Sequence, residues 1–390
     1  MTEDYFPQGI AQGSAFLGRE KELKDLTYNI QSGHHTLIFG SRRIGKTSLV
    51  KRALENLNIP FGETNFFISQ TQRSVELKIM ETIRSVTHLL IHNEKEASLI
   101  LSKLAAYFSK AKKKWSFGIK GLAGVEITPE TDDDIPENIL VGLNFLESLL
   151  ADFNQKAVLF FDEIQEINHI ENGFALQGAI REFAQHSKQL VFIFSGSNRH
   201  LLSHMFDDRS MPLYELCERL SLGKINQELY INYINQIALK TKGGALLSST
   251  LDQLFLLTDL HPKRVYNLCF QLWKDYENNK ITPEQVEKSW NELLEKQSDV
   301  IRSQLKKLNS GCLKTLTLIA EISSDGNSTD CPITGKIAQR KIGISSASIS
   351  NALKILEEED LIFKEEGNYC LVDPLIRSFL FQYERHNLAP

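Results

Sequence analysis

Residues Gly40-Ser41-Arg42-Arg43-Ile44-Gly45-Lys46-Thr47-Ser48 follow the spacing G-x-x-x-x-G-K-[ST]. Such a loop wraps tightly at Gly40 and Gly45, so that successive backbone N–H groups converge on one anion. A helix leaving the loop presents its positive end to the same anion. The surroundings suit that chemistry. The apolar run Thr36-Leu37-Ile38-Phe39 precedes the loop, and a helix is predicted from Thr47 to about Leu57. Lys46 is then expected at the β- and γ-phosphates of a nucleotide, and the Thr47 hydroxyl at Mg2+. Arg42 and Arg43 add cations inside the loop; they hold the γ-phosphate, sense a neighbouring subunit, or face solvent.

A second constellation closes another apolar run. Ala157-Val158-Leu159-Phe160-Phe161 is followed by Asp162 and Glu163. Asp162 is suited to hold Mg2+, directly or through water, and Glu163 to act as the general base toward an attacking water. Adjacent carboxylates after a strand are common. The pairing with Gly40–Ser48 carries the reading, because both motifs then lie at the carboxyl end of a parallel sheet. The run Leu190–Phe194 ends in Ser195-Gly196-Ser197-Asn198. Ser197 or Asn198 is expected to orient the water and report on the γ-phosphate, while the same residue types also cap helices.

These residues need a scaffold, and the chain outlines one. Four short runs rich in β-branched and aromatic residues read as buried strands: Thr36–Phe39, Asn65–Ile68, Ala157–Phe161 and Leu190–Phe194. The connections are long enough for crossover helices. Residues 110–136 interrupt this alternation. They open with Lys112-Lys113-Lys114, close with Asp132-Asp133-Asp134, and hold Trp115–Ile119 and Gly124–Ile127, which predict a β-hairpin insertion with solvated charged edges. From about Asn226 to Gln297 the pattern is helical, with Pro283 marking one helix start.

The C-terminal stretch changes style. Ile333 to Arg340 and Ser345 to about Leu356 read as two helices around an Ile342-Gly343-Ile344 turn, with Ile349, Ala352, Leu353 and Leu356 on one inward face. Leu361–Lys364, a Glu366-Gly367-Asn368 turn and Tyr369–Val372 read as a hairpin, so a winged helix-turn-helix is predicted. Ser346, Ser350, Asn351 and Lys354 form its outward face. From Gly311 onward there are eight basic and eleven acidic residues, a net −3, where nucleic-acid domains usually carry a basic footprint. The partner of this module is DNA or another protein.

Composition bounds the rest. The chain has 390 residues and a net charge of −5, which argues against coating nucleic acid by bulk charge. No apolar run approaches the ~18 residues of a membrane span, and Met1–Phe6 has no leader-like character. The five cysteines are scattered and never in C-x-x-C, which points to reduced thiols in a cytoplasmic setting and argues against zinc.

The two-arginine loop, Asp162-Glu163-Ile164-Gln165 and Ser195-Gly196-Ser197 resemble the archaeal-type ATPases, within the STAND and AAA+-related P-loop NTPases. Phe16–Leu23, with Arg19, looks like that family's opening motif beside the adenine, and Met205–Asp208 with Pro212-Leu213-Tyr214 like its segment after the fourth strand. Many members place Gly-Arg directly after the latter. Here Glu215–Glu218 intervene before Arg219, which acts as a trans-acting arginine or pairs with a carboxylate of its own chain. His261-Pro262-Lys263-Arg264 fits the family's lid element, from which Lys263 or Arg264 reaches the phosphates; Pro262 also simply starts a helix.

The resemblance implies an α/β P-loop core over residues 1–224, a helical lid over 225–308 and a winged helix domain over 309–390. It also implies ATP as the nucleotide, with Mg2+, and an ATPase serving as a nucleotide-gated regulatory switch. The alternatives are a DNA-binding ATPase similar to origin-recognition initiators, or a nucleotide-binding scaffold with little hydrolysis. Homo-oligomers fit either reading.

Overall fold

The structure, a computed structural model, describes residues 5–110, 115–119, 125–129, 134–324, 333–365 and 367–384. The chain divides into two compact units. A sheet unit takes Glu20–Gly40 and Lys46–Leu222; a helical unit takes the residues up to Arg19, Ser41–Gly45 and Gly223 onward.

The sheet unit begins with α1 (Glu20–Ser32), β1 (Thr36–Phe39), α2 (Lys46–Leu57), β2 (Phe61–Asn65), α3 (Gln72–Leu89) and α4 (Glu94–Lys110). A hairpin, β3 (Trp115–Ile119) and β4 (Val125–Pro129), pairs antiparallel. The predicted insertion edges Lys112-Lys113-Lys114 and Asp132-Asp133 lie outside the described residues. Then follow α5 (Ile135–Asp152), β5 (Ala157–Asp162), α6 (Gly173–Ala184), β6 (Leu190–Gly196), α7 (Arg199–Asp207) and β7 (Glu218–Ser221). Five strands form one parallel sheet in the order β2-β5-β6-β1-β7. The central β5 and β6 are buried at every residue, as sequences apolar on both faces require. Phe161, Phe192 and Phe194 pack against one another within this core. Because β6 lies between β1 and β5, the residues after all three strands converge at the carboxyl edge.

Two strand expectations need correction. The second strand is not Asn65–Ile68 but Phe61–Asn65. Phe66 is buried, yet Phe67 and Ile68 are 53% and 76% exposed, so the apolar run is not a strand core. The true strand Phe-Gly-Glu-Thr-Asn is an edge strand with alternating burial. Its Gly62 admits α3 closely: a Cβ there would stand 2.5 Å from Thr82 Cγ2. The fifth strand, β7, carries only one apolar residue, Leu220, and leaves no hydrophobic signal.

The helical unit contains α8 (Gln227–Thr241), α9 (Ser248–Thr258), α10 (Pro262–Asp275), α11 (Pro283–Leu305), α12 (Ser310–Ser324), α13 (Lys336–Ile342) and α14 (Ser346–Glu358). It ends with β8 (Ile362–Glu365), β9 (Asn368–Leu371) and α15 (Pro374–Phe379). Thr282 caps α11 in a capping box with Gln285, and Pro283 takes the first turn, where its missing N–H costs nothing. Trp290 is fully buried and donates to Ser378 Oγ at 2.9 Å. One core runs from Tyr230 through Trp290 to Leu356 and Phe379.

The two C-terminal helices and the β8–β9 hairpin follow in winged helix order. The first helix starts later than expected, at Lys336 rather than Ile333, and Ile342 closes it instead of opening the turn. Gly343 at φ 68° ends it in the left-handed region. Ser345 caps α14 through Ser348 N–H, and Ile349, Ala352, Leu353 and Leu356 are buried. Cys331 and Glu366 lie outside the described residues.

Candidate functional site

In the sheet unit, Lys46, Thr47, Asp162, Glu163 and Ser197 meet at the carboxyl edge. Lys46 opens α2 and donates to Gly40 O at 3.0 Å, so its ammonium folds back along the loop. The Thr47 hydroxyl donates to Asp162 Oδ2 at 3.3 Å. Asn65 Nδ2 reaches the same oxygen at 3.3 Å. Ser195 Oγ and the Glu163 N–H, the latter at 3.1 Å, donate to Asp162 Oδ1. Burial pushes the Asp162 carboxyl above the ordinary carboxylate range; the Ser195 bond opposes this, the Glu163 charge adds to it, and Lys46 opposes it. Such a carboxylate is short of positive charge.

Glu163 sits in the left-handed region at φ 53° and turns its carboxylate toward β6. Ser197 donates to Glu163 Oε2 twice, from N–H at 3.2 Å and from Oγ at 3.1 Å. Asn198 behaves differently: its Oδ1 caps α7 by accepting from Leu201 N–H at 3.0 Å. Asn65, Gln165 and Ser195 were not singled out by spacing. Asn65 ends a strand that hydrophobicity misplaced, and only the sheet order brings it to Asp162.

The donor set fits Mg2+. This ion takes one or two protein ligands and fills its octahedron with water and substrate phosphates. One buried carboxylate and one hydroxyl supply that; among the described residues no group of three or more His, Cys, Asp or Glu forms a protein cage.

The remaining loop residues belong to the helical unit. Gly45 adopts φ 107°, which only glycine tolerates readily. Ser41 and Ile44 are buried and joined by Ile44 N–H to Ser41 O at 3.3 Å, while Ser48 is buried in α2 of the sheet unit. Arg42 and Arg43 are exposed, and Arg43 has φ 62°. Arg19 is buried and donates to Ile44 O at 3.2 Å and Gly223 O at 2.6 Å. It thus braces the loop backbone.

The lid element meets the loop too. His261 Nε2 bonds Arg42 O at 3.2 Å, and burial lowers the imidazole's basicity, so the ring donates as neutral Nε2–H. Pro262 is the first residue of α10. Arg264, buried, forks onto Asp373, with Nε to Oδ1 at 2.8 Å and Nη2 to Oδ2. Lys263 donates to Gln8 O; partial burial lowers its pKa, and the Arg43 and Arg264 charges lower it further. Arg219, in β7, pairs with Asp207 of its own chain.

The sheet order, the loop after β1 and the acids after β5 define a P-loop NTPase fold. Residues 16–240, more than half of the chain, match the family described as an ATPase domain predominantly from Archaea; the chain belongs to that family. Among solved structures, a Walker-type ATPase of Pyrococcus abyssi is similar, with a TM-score of 0.66 at 16% identity, over 97% of this chain and 99% of that one. The ORC2 protein of Aeropyrum pernix, solved as ADPNP–ADP complexes, gives 0.56 at 14% identity over 99% and 98%. Both likenesses are of fold. No curated protein matches the chain in sequence. Among the described residues no helix is long and apolar enough to cross a membrane.

Proposed function

We propose that the chain binds ATP with Mg2+ and hydrolyses it, with nucleotide state setting the arrangement of the lid and C-terminal elements. The observation that carries this reading is the Thr47 hydroxyl at 3.3 Å from the Asp162 carboxylate, at the start of the helix that Lys46 opens. Thr47 and Asp162 would hold Mg2+, which when bound neutralises charge on the β- and γ-phosphates. Lys46 would release Gly40 O and pair with those phosphates. Glu163 would take the proton of a water that attacks the γ-phosphorus in line with the departing ADP oxygen. Ser197 would hold Glu163 meanwhile, rather than orient the water itself, and Asn198 would act only through the helix it caps.

A regulatory role is supported within the helical unit. The loop backbone at Arg42 is bonded to His261, and three residues on, Arg264 is bonded to Asp373, which caps α15 just after the hairpin. A loop rearranged by phosphate would therefore pull on the C-terminal module. For that module a protein partner is favoured over DNA: Lys354, the one cation on the outward face of α14, already lies 3.9 Å from Glu358.

Lys46→Ala should abolish ATP binding in calorimetry, and Glu163→Gln should keep binding while phosphate release falls roughly 100-fold or more. Intact ATP affinity in Lys46→Ala would falsify the site. Mass measurement with and without ATP·Mg2+ tests for assembly, and a gel shift at low salt tests for DNA.

A further inference from the structure

We propose that Gln165 is a positioning residue that anchors one oxygen of Glu163 and thereby presents the other to the attacking water. The inference rests on Glu163 being the base of the reaction above.

Gln165 lies in the short helical turn Ile164–His169 that follows β5, and is 3% exposed. Its Nε2 donates to Glu163 Oε2 at 2.7 Å, shorter than either bond from Ser197. Three donors therefore converge on Oε2, and among the described residues no hydrogen bond reaches Oε1. A glutamate side chain that is free to rotate spreads its carboxylate over many positions, and fixing it costs rotamer entropy. Here that cost is met before any ligand arrives.

The geometry around Gln165 keeps its amide in one orientation. Its Oε1 is buried without a hydrogen-bond partner. A buried amide oxygen left unbonded is unfavourable, and it persists because the reverse orientation would set it against the Glu163 carboxylate. The amide oxygen fits only because residue 196 is glycine: a Cβ there would stand 2.1 Å from Gln165 Oε1. So the end of β6 contributes the space beside the amide at Gly196, and the next residue, Ser197, contributes a donor.

Gln165→Met keeps the volume and removes the donor. It should lower kcat for ATP hydrolysis roughly 10–100-fold, part of what a placed base supplies, with KM changed less than about twofold. Gly196→Ala should reproduce the fall in kcat by displacing the amide. In the Gln165→Ala background the same substitution should cost less, because its closest contact is gone and only the Leu202 methyl groups at 3.1 Å remain.

A readout independent of turnover is the side-chain amide of Gln165 in glutamine-labelled protein. Its 1H–15N resonances should differ between the wild type and Glu163→Gln, because the acceptor 2.7 Å away changes from a carboxylate to an amide. Wild-type kcat and KM in folded Gln165→Met, or amide resonances that ignore Glu163→Gln, overturn the inference. Unchanged turnover in Glu163→Gln instead overturns the base assignment beneath it.

Discussion

Two carboxylate clusters, one in each unit, are held in different ways. At the sheet edge, two acids are held almost wholly by neutral donors: Ser195, Asn65, Thr47 and a backbone N–H on Asp162; Gln165 and Ser197 on Glu163. In the helical unit, the carboxylate of Asp373 is held by a charged fork, that of Arg264, and the Arg43 guanidinium is influenced by both charges. The burial of Asp373 alone would raise its pKa, but the Arg264 bonds and charge hold it below the ordinary carboxylate range.

The contrast can be broken most sharply at Arg264. Replacing either Arg264 or Asp373 by Ala strands the other charge in a largely buried place. Each should cost about 2–4 kcal/mol in urea unfolding, and the double variant less than the sum. A loss below about 1 kcal/mol would mean that the pair is solvated and the contrast overstated.

Away from the site, Glu147 is a second carboxylate held by neutral donors and tests how much they contribute. It accepts from the backbone N–H groups of Lys188, Gln189 and Leu190 at 2.7, 3.0 and 3.1 Å and from Ser187 Oγ at 2.9 Å, ordering the entrance to β6. Glu147→Ala should cost about 1–3 kcal/mol by thermal unfolding, and Glu147→Gln should recover part of it. An effect near zero would mean that water replaces the carboxylate.

A pH series sharpens the comparison further. His35 accepts from Phe192 N–H at Nδ1, 3.1 Å, and donates from Nε2 to Ala184 O at 2.9 Å, so the fold needs the neutral ring. Burial lowers its pKa, with the backbone bond opposing. The folded value lies below the unfolded one of about 6.5, so the unfolded chain binds the extra proton. Its stability contribution is complete above that pH and is lost as pH falls through and below it. His35→Gln should flatten the fall of the unfolding midpoint between pH 7.5 and 5.5; an unchanged slope would remove His35 from the account.

The smallest effect is expected at Arg219. Its pair with Asp207 is 40% and 44% exposed, so Arg219→Ala should change stability by no more than about 0.5 kcal/mol. ATP turnover should also stay as in the wild type. A large fall in kcat without loss of stability would instead mark it as an arginine acting on a neighbouring subunit's phosphate.

Legibility in the sequence followed local chemistry. Gly45, Lys46 and Thr47 announce themselves because a phosphate loop is built from consecutive residues, and Asp162-Glu163 because a strand buried on both faces ends in charge. The helix start at Pro283 is visible for the same reason. Edge strands were not. Phe61–Asn65 and Glu218–Ser221 need little hydrophobicity because sheet hydrogen bonds hold them and only one or two of their side chains face the core.

The amino-acid order by itself determined the motifs, the parallel core and the run of helices into a terminal hairpin, since each depends on neighbours within a few positions along the chain. Only the tertiary structure decided that Asn65 and Ser195 converge on Asp162, that Gln165 meets Glu163 beside Gly196, and that Arg264 is committed to Asp373. The last of these spans 109 positions. Contacts between segments so far apart depend on strand order and helix packing, and neither leaves a periodic trace in the residues concerned.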